Sequence, residues 1–294
     1  MTDDPVLTRI LAVASADPRV RAVVLSGSRA DPEAPADRGR GHGVVFVVTD
    51  VAPYRAEPDW VDVFGERTIL QRPDAMGGAL PRADGGEAWL MLFEDGSRID
   101  LTLVPVAAMA TYRHDGPVRV LVDLHGVVPP PPPTDAPHFV PDPPTAAAFA
   151  DVCNEFWWVA PYVAKGLARG ETTYAHHHFD VVLCAQLLTM LGWDVAAASG
   201  FRRGAGKHGR SLRREMALED WARLEATYAG ADPEAAWDAL EAMAGLFRDV
   251  ATRVAGRFGF DCSQCDDVRV TAHLRRVRAA VGSRGAEAPG EATA

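Results

Sequence analysis

Apolar positions follow two rhythms along the chain. Up to about residue 126 they come in short runs closed by turn residues, which predicts strands. From about residue 145 they recur every three to four positions, which predicts amphipathic helices. In the first half, Val20 to Leu25 ends at Ser26-Gly27-Ser28. Val44 to Val48 is an unbroken apolar run suited to a strand buried on both faces, and Thr68 to Leu70 and Trp89 to Phe93 follow. Glu94 to Ser97 is a turn, and Arg98 to Val104 returns as a strand. Residues 5–16 have helical spacing, with Val6, Ile10 and Val13 on one face. The second half predicts helices over roughly 145–168, 174–192, 211–228, 233–257 and 268–281. Asp232 is placed to cap the fourth, with Pro233 in its first turn.

Between the two rhythms lie five consecutive prolines, residues 129–133, followed by Pro137, Pro141, Pro143 and Pro144. Proline lacks a backbone donor and fixes φ, so this stretch predicts a stiff, extended connector. The expected organisation is a mixed-sheet α/β domain over 1–126, a proline-rich linker over 127–144 and an all-α helical bundle over 145–281. The small, polar segment 282–294 reads as a disordered tail.

Composition narrows the function classes. The chain has 294 residues, 48% hydrophobic and 24% charged, with a mean hydropathy of −0.06, as in ordinary soluble globular proteins. No stretch approaches the ~20 apolar residues of a membrane helix, and the acidic start at Asp3 and Asp4 does not predict a secretory signal. The net charge of −10 argues against general affinity for nucleic acid or anionic membrane and is compatible with a cationic ligand. Only Lys165 and Lys207 are lysines. Cys153, Cys184, Cys262 and Cys265 make no disulfide framework in a chain this long, so reduced thiols in a cytoplasmic protein are expected. Cys262 and Cys265 have zinc-like spacing without a second ligand pair. His176, His177 and His178 are consecutive, point in different directions on a helix and read as surface or packing residues. Trp157 and Trp158 read as core.

Two features carry chemistry. Ser26-Gly27-Ser28-Arg29 directly follows a strand, where backbone N–H groups and a hydroxyl can meet an anion such as a phosphate. Asp100 lies between Ile99 and Leu101 on a later strand and reads as a buried acid.

These residues, together with Val47 to Asp50, Phe64 to Arg67, Trp89 to Gly96, Arg98 to Leu103, Asn154 to Trp158 and Tyr162 to Leu167, resemble the aminoglycoside 6-adenylyltransferases. That streptomycin-modifying group belongs to the nucleotidyltransferase superfamily, and the resemblance spans most of the chain. It implies a polymerase-β-like nucleotidyltransferase domain, ATP and Mg²⁺ as cofactors, and transfer of AMP to an antibiotic hydroxyl in a cleft between the domains. It also implies nucleotide-binding roles for Gly27, Ser28, Arg29 and Lys207, and contacts from Glu94, Asp95 and Glu155 to a cationic substrate. Asp100 matches the third metal-holding acid of the family and its catalytic carboxylate. The first two acids, one residue apart where the next strand opens, fall on Gly41 and Gly43, and glycine has no side chain to bind a hard cation. Arg38, Arg40 and His42 make the same stretch basic.

The expectation is therefore a pseudoenzyme with adenylyl transfer impaired or lost and Mg²⁺ binding doubtful. It would still take a small-molecule ligand, an aminoglycoside or a nucleotide, with no nucleic acid or membrane partner. The alternative is an active transferase with a rearranged metal site, in which Asp31, Glu33 or Asp37 replaces the missing acids.

Overall fold

The structure is a computed structural model that describes residues 4–31, 40–80, 82–112, 114, 116–130, 139–261 and 264–286, with backbone alone for 264–265 and 283–286. The chain divides into two compact units, Met1–Ala136 and Pro137–Ala294.

The first unit opens with helix α1 (Pro5–Ala16), whose first turn is capped by the Asp4 carboxylate accepting from the Leu7 N–H at 3.0 Å. The strands are β1 (Val20–Ser26), β2 (His42–Val48), β3 (Arg67–Gln71), β4 (Glu87–Phe93), β5 (Arg98–Pro105) and β6 (Val118–Asp123), with a short helix α2 (Ala52–Ala56) after β2. They form one mixed sheet in the order β3-β4-β5-β2-β1-β6, in which only β2 and β5 pair in parallel. Successive strand residues face opposite sides. Val44, Phe46 and Val48 therefore join Ile10, Phe64, Trp89 and Leu101 in one core, while Val45 and Val47 join Val24, Val104 and Met109 in another. This two-sided burial is what the unbroken apolar run predicts. Strand β6 has no such run and was not predicted. It is a sheet edge, and most of its residues are only half-buried.

The second unit is helical: α3 (Ala146–Ala168), α4 (Thr172–His176), α5 (Cys184–Ala198), α6 (Leu212–Glu215), α7 (Leu218–Glu225), α8 (Pro233–Phe258) and α9 (Gln264–Ala286). Its core joins Phe156, Val163, Leu187, Leu240 and Phe247, and the Phe156 and Phe247 rings stack at 3.8 Å. Asp232 caps α8 as predicted, accepting from the Ala235 N–H at 2.8 Å. Helices α4 and α5 are joined by a π-helical turn over His177–Leu183, giving one rod over Thr172–Ala198. The rod is apolar and long enough to span a membrane, contrary to the sequence expectation. Its Leu183, Leu187, Met190 and Leu191 belong to the bundle core, as in a buried helix of a globular domain.

Three further expectations need correction. The helix predicted over 211–228 is two short ones, because Met216 and Ala217 are extended; the apolar period continues across the break and hides it. Helix α9 passes through Gly282 to Ala286, so the segment read as tail begins in helix. A glycine costs a helix only about 1 kcal/mol. Trp158 is 63% exposed while Trp157 is buried, since neighbours on a helix stand about 100° apart and cannot both face the core. Residues 131–138, Cys262, the Cys265 side chain and residues 287–294 lie outside the description.

Candidate active site

Three strand ends meet where the resemblance puts the chemistry. At the end of β1 the chain turns through Gly27, whose φ of +76° is the left-handed region that glycine enters without penalty. The Gly27 N–H donates to the Pro117 carbonyl, and its own carbonyl accepts from Ala30 N–H, both at 2.9 Å. Strand β2 then sets Gly43 opposite Ser26 on its antiparallel side and beside Asp100 on its parallel side.

The two glycines differ in what surrounds them, and neither has a positive φ. A Cβ on Gly43 would lie 2.9 Å from both the carbonyl oxygen and the Oγ of Ser26. A Cβ on Gly41 would lie 3.3 Å from Cγ and Cδ of Arg98. The Arg98 stem therefore covers Gly41, and its Nε donates to Asp100 Oδ1 at 2.9 Å. The Asp100 hydrogen bond raises the Arg98 guanidinium above its ordinary value. Asp100 was expected to be buried. Its side chain is 34% exposed, on the sheet face that the Ile99 and Leu101 core does not occupy.

On the other face, His42 is almost fully buried, with Nε2 3.0 Å from Asp4 Oδ2. Asp4 also accepts from Arg29 at 2.8 Å, so one carboxylate ties the start of α1 to the Gly-Ser turn and to β2. Burial pushes the Asp4 carboxyl up, but the Leu7 N–H, His42 and Arg29 outweigh it and hold the group below its ordinary value. Arg29 donates twice more to the Arg40 carbonyl, at 3.1 and 2.9 Å, and the Arg40 guanidinium reaches the Ser28 carbonyl. The guanidinium of Arg29, expected to meet a nucleotide, is thus held by Asp4 and the Arg40 carbonyl. Sequence reasoning missed Asp4 as this hub, although an acid directly before Pro5 carries the signal of a helix cap.

The other expected residues fall in several places. Glu94 accepts from the Thr68 hydroxyl at 2.8 Å, and Asp95 accepts from the Ser97 N–H at 2.9 Å, both in the turn from β4 to β5. The Ser97 side chain and N–H hold the Asp95 carboxyl low, so this acid shapes the turn. Glu155 is exposed on α3, and Lys207 is exposed in a short turn before α6. His176 meets Asp180 and His178 the Tyr174 carbonyl, while the His177 ring packs edge-on against that of His178 at 5.3 Å. Asp31 is within the described residues, whereas Glu33, Asp37 and Arg38 are not.

A model of the streptomycin adenylyltransferase family matches residues 1–277. The chain belongs to this family. It is 35% identical over 260 residues to the aminoglycoside 6-adenylyltransferase of Campylobacter jejuni, covering 88% of this chain and 90% of that one. Against the Bacillus subtilis protein of the same name, identity is 32% over 254 residues, with 85% and 89% covered. The crystal structure of an aminoglycoside 6-adenyltransferase from Bacillus subtilis aligns with a TM-score of 0.46 at 27% identity, over 95% of this chain and 99% of that one.

Family membership brings the question of a divalent metal to the sheet. Among the described residues, no three His, Cys, Asp or Glu side chains are placed to share a metal ion. Gly41 and Gly43 supply no side-chain oxygen, and Asp100 already carries a guanidinium. Magnesium requires several oxygens in near-octahedral array. The described residues do not fit it.

Proposed function

We propose that this chain is an aminoglycoside 6-adenylyltransferase homologue in which metal-dependent adenylyl transfer is strongly impaired or lost. In this reading it remains a cytoplasmic binder of an aminoglycoside or a nucleotide. Family membership supports the ligand class. The observation that carries the loss is the Arg98–Asp100 ion pair lying over Gly41 and beside Gly43, where the family's carboxylates are expected. Metal clamping of a transferring phosphoryl group supplies several kcal/mol of transition-state stabilisation, and about 1.4 kcal/mol is tenfold in rate. A sheet with one paired acid forgoes most of that. Cys184 is a free thiol, which suits a reducing compartment.

The test is transfer of AMP from ATP to streptomycin by the purified chain with Mg²⁺, followed as pyrophosphate release and by mass of the antibiotic. No product above background, with a thermal shift on adding streptomycin or ATP, is the expected result. Robust turnover would overturn the reading and favour a metal site rebuilt around Asp31, Glu33 or Asp37.

A further inference from the structure

The helical unit holds a cavity of about 230 Å³ where α3, the C-terminal half of α8 and the start of α9 meet. Its floor is apolar, with Phe149 and Trp157, both buried, beside Ala150 and Ala251. An apolar hollow with a few polar groups at its edge is the usual make-up of a small-molecule site. Sites for drug-sized ligands run to roughly 300–1,000 Å³. This one is smaller, so it takes a fragment of about ten heavy atoms, and an antibiotic of several sugar rings does not fit inside.

Charge decides what kind of fragment. Arg248 and Asp267 form one wall and neutralise each other. The guanidinium donates to both carboxylate oxygens, through Nη2 at 2.7 Å and through Nε, and the Thr271 hydroxyl donates to Asp267 at 3.0 Å. An anion would have to displace that carboxylate from Arg248. Asp261 and Asp266 differ. Both are exposed at the cavity's edge, and neither carboxylate has a hydrogen bond or ion pair among the described residues. The cavity thus carries one neutralised pair and two open negative charges, which repel an anion and draw in a cation. No three acids, histidines or cysteines among the described residues are placed to share a metal ion, so the cation is an organic one. The exposed Asn154 amide adds an acceptor for an ammonium N–H. Phe149 and Trp157 supply aromatic surface, which holds a ring and favours a nearby positive charge.

We propose that this cavity binds a small organic cation, an aromatic ring that carries an ammonium on a short chain. The ring lies on Phe149 and Trp157, and the ammonium meets Asp261, Asp266 and the Asn154 side-chain carbonyl at the edge. This site is independent of the function proposed above.

Phenethylamine is the probe. Phenethyl alcohol is its neutral counterpart, 3-phenylpropionate its anionic one, and butylamine the cation without a ring. Binding to the full chain is followed by ligand-observed NMR titration at low ionic strength. Phenethylamine is expected to bind with a Kd on the order of 1 mM, as suits so few atoms. The alcohol and butylamine are expected to bind about tenfold more weakly, and 3-phenylpropionate not at all. Ala150→Phe fills the cavity from an exposed position and is expected to abolish binding. Asp261→Asn with Asp266→Asn is expected to bring phenethylamine down to the level of the alcohol and leave the alcohol unchanged. Equal binding of phenethylamine and the alcohol to wild type, or phenethylamine binding that survives Ala150→Phe, would overturn the proposal. The comparison of the four probes needs no variant, so it decides even where one misfolds. Saturating streptomycin or ATP is expected to leave phenethylamine bound; displacement by either would overturn the proposal by giving the cavity to the ligand of the function proposed above. Failure of streptomycin and ATP to bind would count against that function and leave this site standing, and failure of phenethylamine alone would do the reverse.

Discussion

Arg98 and Asp100 occupy one face of β5, two residues apart, with Nε of the first 2.9 Å from Oδ1 of the second. Both side chains are substantially exposed, and such pairs contribute about 0–1 kcal/mol. Arg98→Ala is therefore expected to shift the urea midpoint little. It frees Asp100, yet one carboxylate with water holds a hard divalent cation weakly. A Mn²⁺ titration followed by electron spin resonance should find no tight site in wild type or variant; micromolar uptake by wild type without nucleotide contradicts this.

Acid sensitivity centres on Asp17. Burial pushes its carboxyl up, but two Arg19 side-chain hydrogen bonds, the Arg19 N–H and the Tyr54 hydroxyl bring it from 3.8 down to about 2. A folded value below the unfolded one means stability that is full above about pH 4 and is lost as pH falls towards 2. At about 1.36 kcal/mol per unit this is about 2 kcal/mol. Asp17→Asn should cost that much at pH 7, and its deficit against wild type should shrink between pH 5 and pH 3. A deficit that stays constant over this range would show that the carboxylate charge is not the source.

Helices α3 and α4 approach closely at Gly166. A Cβ there would lie 2.9 Å from Ala175 Cβ and 3.0 Å from both the Ala175 N and Tyr174 Cδ1. Gly166→Ala is expected to destabilise by roughly 1–3 kcal/mol through overpacking, despite alanine's better helix propensity. It should also loosen Tyr174 from the Lys165 ammonium, which lies 5.1 Å from its ring centre, seen as faster acetylation of Lys165 by an amine-selective reagent. A stabilised variant would show that the helices part easily.

How much of this was legible in the sequence depends on what each residue packs against. The apolar run Val44 to Val48 and the helical spacing around Phe156 report burial directly, so the sheet and bundle could be read. Asp232 before Pro233 carries its own local signal and was read correctly. Asp4 and His42 are 38 positions apart and meet only through the docking of α1 on β2. No local pattern encodes that meeting. The Arg98–Asp100 pair follows from strand periodicity, but whether Arg98 turns to Asp100 depends on the open space above Gly41, which sequence does not display.

Restoring the acid pair is the most demanding case, because the two glycines are not equivalent. At Gly41 a new Cβ meets the flexible stem of Arg98 at 3.3 Å, and that stem can move aside. Gly41→Asp is expected to fold with little loss and to compete with Asp100 for Arg98. At Gly43 the Cβ meets the Ser26 carbonyl at 2.9 Å, and this backbone is held in the β1–β2 ladder. Gly43→Asp is expected to cost roughly 1–3 kcal/mol and lower the melting temperature by several degrees. The double variant should inherit that cost and gain little metal, since the strain falls on the strand that must aim the acids. Ser26→Ala separates the two contacts at Gly43: it removes Oγ and keeps the carbonyl, so calorimetry should find no rescue of Gly43→Asp. Full rescue by Ser26→Ala would place the obstruction in the hydroxyl. Mg²⁺-dependent pyrophosphate release by a well-folded double variant would show that β1 and β2 can part enough to seat both carboxylates beside Asp100.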